Sequence, residues 1–254
     1  TGNNCSYSMA DIALSAFAAF FTQSPSFLSF QQNMQKAHGR NNARSLFQVE
    51  RIPCDNHLRE TLDSVEAREL FGLFDDVYQA FEGTGLLQDM RAAQNTRLIA
   101  LDATWYFSSQ KLHCQNCSCL RHADGTTTHY HSAITPVIVS PGCSQVVPLR
   151  PEFIQPQDGT TKQDCEINAA KRWLSAHAER YTSGNDTLLG DDLYAHQPFC
   201  RQVLLHGFHF LFTCQPSSHT HLSGWVEGLG VGRDLHVLKQ RVKGKGNRWE
   251  YHQY

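Results

Sequence analysis

Two short apolar runs, Leu98-Ile99-Ala100-Leu101 and Thr187-Leu188-Leu189-Gly190, are each followed by an aspartate, Asp102 and Asp191. Each run reads as a buried strand, so both carboxylates emerge at strand ends, where a rigid sheet can aim them at one point. Two carboxylates so aimed make a magnesium site.

The elements between and around them fix an order. Residues 98–103, 130–140 and 145–149 read as strands, with Pro141-Gly142 turning the last two into an antiparallel hairpin. A helix is predicted over 162–181, with Ile167, Ala170, Trp173, Leu174 and Ala178 on its inner face. A strand at 187–191, a helix at 198–205 and a strand at 208–214 complete the series. Three strands, a helix, a strand, a helix and a strand is the order of an RNase H-like fold, an α/β mixed sheet flanked by helices. Its first and fourth strands are central neighbours, which places Asp102 beside Asp191.

Residues 1–93 read as an all-helical N-terminal region. Ile12, Ala13, Leu14, Phe17, Phe20 and Phe21 make an apolar stretch that Ser24-Pro25 stops. Asp55 is a candidate N-cap ahead of Leu58, Leu62 and Val65, and a further helix carrying Leu70, Leu73, Phe74, Val77 and Phe81 runs to Gly83-Thr84-Gly85. Such a region is either a helix-turn-helix reader, with Arg40, Arg44, Arg51 and Arg59 on phosphates, or a scaffold or dimerisation bundle. The expected organisation is 1–93 helical, 94–222 core, and 223–254 the start of an insertion or basic extension.

With 254 residues, 41% of them hydrophobic, the chain can bury a substantial core. Its net charge of -2 is far from a strongly basic footprint, so any DNA contact must use local patches. No apolar run reaches membrane-spanning length and no charged leader precedes a signal core, which reads as a soluble, cytoplasmic protein without membrane contact. The missing initiator Met and the end at Tyr254, just after Lys243-Gly244-Lys245-Gly246, read as an internal fragment.

Phosphodiester chemistry needs negative charge held beside the reacting oxygens, which paired Mg2+ or Mn2+ ions on carboxylates supply. Asp102 and Asp191 fit that need. Asp192 exchanges with Asp191 if the strand boundary shifts by one, because neighbouring strand residues face opposite sides. Glu166, at the start of the central helix, is read as complementing the helix dipole.

Nine cysteines include Cys114, Cys117 and Cys119 in one short stretch. Cys114 and Cys117 form a Cys-x-x-Cys knuckle suited to a structural Zn2+. Cys119, His122, His129 and His131 compete for the remaining ligand positions, and His131 is preferred because it starts the returning strand. Zinc would brace the loop at 113–131. Lys171 and Arg172 on the central helix, and Lys239, Arg241, Lys243, Lys245 and Arg248 near the end, are the candidate phosphate contacts, with solvated surface charge the competing reading for the first two.

LDATWYFSS at 101–109, PEFIQPQDGTTKQDCE at 151–166, AAKRWL at 169–174 and LLGDDLYAHQPFC at 188–200 resemble bacterial insertion-sequence transposases of the DDE type (ISNCY-type). The resemblance runs from ADIALSAFAAFFTQSPSFL to the SSHTHL at 217–222. It implies Asp102 as the first catalytic aspartate and Asp191 as the second, with Tyr194 matching a tyrosine three residues beyond. It also implies Mg2+ chemistry on double-stranded DNA at transposon ends and target, a homodimer in the active complex and a nucleoid-associated location. Ala103 departs from the family's usual Gly. The family's third acid, a glutamate on a later helix, is expected beyond Tyr254, which would leave this fragment inactive alone. The rival readings are a non-transposing RNase H-like nuclease and a zinc-stabilised, non-catalytic DNA-binding protein.

Overall fold

The structure, a computed structural model, describes residues 7–156, 164–182, 184–229, 239–243 and 249–253. The chain forms two compact units that divide between Leu73 and Phe74. Among the described residues no helix is long and apolar enough to cross a membrane.

The first unit contains α1 (Met9–Phe21), α2 (Phe27–Met34), α3 (Ala37–Phe47), α4 (Asp55–Leu62) and a 3-10 turn at Ala67–Leu70. Ser8 starts α1 because its hydroxyl accepts the N–H of Asp11 at 3.0 Å while the Asp11 carboxylate turns back to it, a capping box. The other Asp11 oxygen accepts the backbone N–H groups of Glu50 at 2.7 Å and Arg51 at 3.1 Å, tying the segment after α3 to α1. Helices α2 and α3 approach closely at Gly39, where a Cβ would fall 2.1 Å from the Asn33 carbonyl oxygen. At α4 the cap is Cys54, and Asp55 is the first helical residue rather than the expected N-cap.

The division falls inside α5 (Phe71–Gly83), and Tyr78 of α5 with Leu87 of α6 (Leu86–Asp89) packs in the core of the second unit. The helical residues after Leu73 therefore belong with the sheets, whereas the sequence had grouped everything to 93 together.

The second unit is mixed α/β. Its chain order is β1 (Arg97–Ala100), β2 (Ala103–Ser109), β3 (Ser118–Arg121), β4 (Thr127–Ile134), β5 (Val137–Val139), β6 (Val147–Pro148) and β7 (Glu152–Ile154). Then come α7 (Glu166–Tyr181), β8 (Asp186–Gly190), α8 (Gln197–Leu205), β9 (His209–Phe212), α9 (Thr220–Glu227), β10 (Lys239–Lys243) and β11 (Trp249–Gln253).

A five-stranded mixed sheet runs β6-β5-β1-β8-β9, with β5 antiparallel to β1 and with β8 and β9 parallel to it. Central position explains the continuous apolar runs of β1 and β8, since Ile99 and Leu188 are wholly buried. Helix α7 lays Ala169, Ala170, Trp173, Leu174 and Ala178 into the same core, and the Trp173 indole N–H is satisfied by the Arg150 carbonyl at 2.8 Å.

A second, antiparallel sheet pairs β2-β4-β3, with β7 on β4. Strand β2 is not among the strands the sequence pattern predicts, and β3 lies within the stretch 113–131 that reads as a loop. Strand β2 starts immediately after Asp102 and shifts register between Trp105 and Phe107, while β10 and β11 form a separate antiparallel ribbon.

Candidate active site and metal centre

Strands β1 and β8 are parallel with Leu98 opposite Thr187, Ile99 opposite Leu188 and Ala100 opposite Leu189, and the Leu101 N–H continues the ladder to the Leu189 carbonyl at 2.9 Å. Two residues beyond the last pair, Asp102 and Asp191 reach the same level. Adjacent strands lie about 4.8 Å apart, and residues in parallel register point to the same side. Both aspartates are exposed at the carboxyl ends of their strands.

Asp191 and its neighbour Asp192 have different tasks. Asp191 caps the 3-10 turn Asp192–Tyr194, accepting the Leu193 N–H at 2.9 Å. Asp192 instead holds the segment after β9: its carboxylate accepts the Gln215 N–H and the Ser218 hydroxyl, both at 2.5 Å, and lies 3.2 Å from His219 Nε2. Those donors hold its carboxyl below the usual range.

A third acid joins the pair. Glu166, the first residue of α7, accepts the Tyr194 hydroxyl at 2.5 Å, and the backbone of Ala103, the residue after Asp102, also favours its charged form. Burial pushes its carboxyl up, and the charges of Asp102 and Asp191 push the same way, against hydrogen bonds that offset only part of the rise. Glu166 is thus a third carboxylate close to the two that follow β1 and β8. The helix-dipole reading of Glu166 lacks this because nothing in its own neighbourhood along the chain reports the bond to Tyr194.

The local sequence explains the geometry. Gly190 leaves room for the Tyr194 ring, which a Cβ there would meet at 2.7 Å, and Tyr194 packs between Phe199 and Phe212 at ring distances of 5.4 and 6.0 Å. Burial, together with the hydrogen bond and charge of Glu166, raises the Tyr194 phenol far above its ordinary value, so it remains a donor.

A second cluster lies on the antiparallel sheet. The sulfurs of Cys114 and Cys117 are 3.8 Å apart, and each is 3.4 Å from Nε2 of His131 on β4. Among the described residues this trio alone brings three ligand atoms within 4.8 Å of one another, so it could hold a metal ion; the carboxylates stand wider apart. Burial raises the Cys117 thiol, with the Cys114 and Cys119 sulfurs adding to the rise, and burial lowers the His131 imidazole toward its neutral, ligating form. Of the competing ligands, Cys119 pairs with His129 at 3.3 Å between sulfur and Nδ1, and His122 bonds the Thr128 hydroxyl at 2.7 Å.

The candidate phosphate contacts divide. Arg172 is engaged within the fold by Glu152 at 2.8 Å, Asp164 at 2.9 Å and the Phe153 carbonyl at 3.0 Å, which withdraws it from DNA. Lys171, beside it on α7, is half-buried. Lys239, Arg241 and Lys243 occupy alternate positions of β10, with the Arg241 guanidinium 3.9 Å over the Trp249 ring. Lys245 and Arg248 lie outside the described residues.

Comparison with protein-family models and with curated proteins finds no match for this chain.

Proposed function

We propose that this chain is a metal-dependent DNA transposase of the DDE type, acting at transposon ends and on target DNA. The observation that carries the reading is that Asp102 and Asp191 each lie two residues beyond the paired Ala100 and Leu189 on adjacent central strands, with Glu166 near enough for both charges to act on it. The mixed sheet supports it: β6, β5 and β1 are antiparallel each to the next, and β8 and β9 continue parallel to β1, in the order β6-β5-β1-β8-β9.

Oxygen donors on three elements suit Mg2+ or Mn2+, and such ions stabilise the attacking and leaving oxygens of an in-line displacement. In the proposed reaction a water oxygen bonds to the phosphorus at the transposon end as the P–O3′ bond breaks and frees a 3′ hydroxyl. That hydroxyl then attacks a target phosphodiester in the same way. Asp102, Asp191 and Glu166 are the residues that would hold the cations.

The second cluster is assigned to a structural zinc ion. Zinc bonds to sulfur and nitrogen in a regular tetrahedron give S–S and S–N edges of about 3.8 and 3.5 Å. The separations of 3.8, 3.4 and 3.4 Å fit three vertices of that shell, with Cys119 and His129 the candidates for the fourth. Zinc there would tie the start of β3 to β4, and through β4 to the strand that leaves Asp102.

The test is cleavage of transposon-end DNA in Mg2+, together with calorimetric titration of Mn2+ alone, for wild type, Asp102→Asn and Asp191→Asn. Both variants are expected to lose cleavage and to bind Mn2+ more weakly. Unchanged metal affinity in both would remove the catalytic reading and leave a zinc-stabilised DNA-binding protein.

A further inference from the structure

The segment Gly190-Asp191-Asp192-Leu193-Tyr194 does two things with one turn: it presents Asp191 at the end of β8 and returns Tyr194 beneath it. The ring is wholly buried, yet its hydroxyl reaches Glu166 Oε1 at 2.5 Å. The backbone of Ala103, next to Asp102, also favours the charged form of the same carboxylate. Glu166 is therefore held by the residue three beyond Asp191.

Holding is needed. A glutamate has a long side chain with rotamer freedom to lose, and this one faces two negative charges. Without a fixed donor it would turn toward solvent, away from Asp102 and Asp191. A hydrogen bond from a neutral hydroxyl to a carboxylate is one of the stronger kinds, and the rigid ring reaches its partner from the core at little further entropic cost.

We propose that Tyr194 is the positioning residue of the cation site, fixing one Glu166 oxygen so that the carboxylate stays turned toward Asp102 and Asp191. The inference rests on the metal-dependent reading above. It also adds Glu166 to Asp102 and Asp191 as an acid of that site. Tyr194 acts only through Glu166, so removing its hydroxyl matters no more than removing the carboxylate's charge. Gly190 belongs to the same device, because a side chain there would displace the ring.

The experiment is Mn2+ titration of the full chain followed by electron paramagnetic resonance, with wild type, Tyr194→Phe, Glu166→Gln, the double variant and Asp102→Asn. Tyr194→Phe keeps the ring and its packing, and is expected to weaken Mn2+ binding on the order of tenfold, as loss of a hydrogen bond to a charged group should. It should also alter the bound-ion spectrum, and the double variant should bind no worse than Glu166→Gln. A purely structural tyrosine would lower the melting temperature and leave affinity and spectrum unchanged, which overturns the proposal. So does Glu166→Gln with wild-type affinity, a result that decides the matter even if Tyr194→Phe fails to fold. If Asp102→Asn also binds Mn2+ normally, the metal-dependent reading itself falls, and the inference with it.

Discussion

Arg97 and Asp186, register partners at the start of β1 and β8, form a buried ion pair with Nε and Oδ1 2.7 Å apart. The same guanidinium donates to the Tyr78 hydroxyl at 2.8 Å and to the Tyr181 carbonyl, so its charge is satisfied in a dry core. A slip of one residue between the strands would strand both charges. The pair thereby sets the level at which Asp102 and Asp191 meet at the opposite ends of the same two strands.

Breaking that pair from one side should be costly. Asp186→Ala is expected to destabilise the second unit by about 3–5 kcal/mol, because it leaves a buried guanidinium uncompensated. Urea unfolding measures this directly. A change under about 1 kcal/mol, the range of exposed ion pairs, would mean that the pair does not lock the register.

Acid stability should depend on Asp75. Burial alone would raise its carboxyl, but Arg150, Arg180 at 2.9 Å and the Tyr181 hydroxyl at 3.2 Å more than offset this and hold it below the ordinary value. A folded-state value below the unfolded one contributes stability that is present in full above the unfolded value, roughly pH 4, and is lost as pH falls through the folded value. Asp75→Asn is expected to lower stability at neutral pH and to flatten the decline below about pH 4. Unfolding curves across pH check it, and wild-type and variant curves that stay parallel would refute it.

Much of the mixed sheet is legible in the residues. β1 and β8 read as strands because central strands covered on both faces are apolar throughout, and α7 is visible in the spacing of Ala170, Trp173, Leu174 and Ala178. β2 and β3 are hidden, because most of their residues are exposed and β3 is short with no apolar face. Glu166 is missed for another reason: its partner Tyr194 is distant in the chain, and only the fold brings them together. Its best sequence signal is the tyrosine three residues after Asp191. Arg172 misleads similarly, since a cation on a helix looks available until Glu152 and Asp164 are seen around it.

The thiolate cluster yields a metal prediction independent of catalysis. Cys114→Ser and His131→Ala are each expected to abolish tightly bound zinc, read by elemental analysis of the purified protein. Stripping zinc from wild type should lower the melting temperature, because ligand binding to the folded state alone stabilises it. Full zinc retention in both variants would exclude the Cys114, Cys117 and His131 assignment.

The most direct measurement loads the zinc-saturated chain with Fe2+ in place of Mg2+, adds hydrogen peroxide as oxidant and ascorbate as reductant, and maps iron-driven backbone cleavage by mass spectrometry. Iron at the three acids should cut the chain close to residues 102, 166 and 191 together, and excess Mg2+ should suppress all three cuts. Cleavage that spares those positions, or that Mg2+ leaves unchanged, would contradict a shared cation site at Asp102, Glu166 and Asp191.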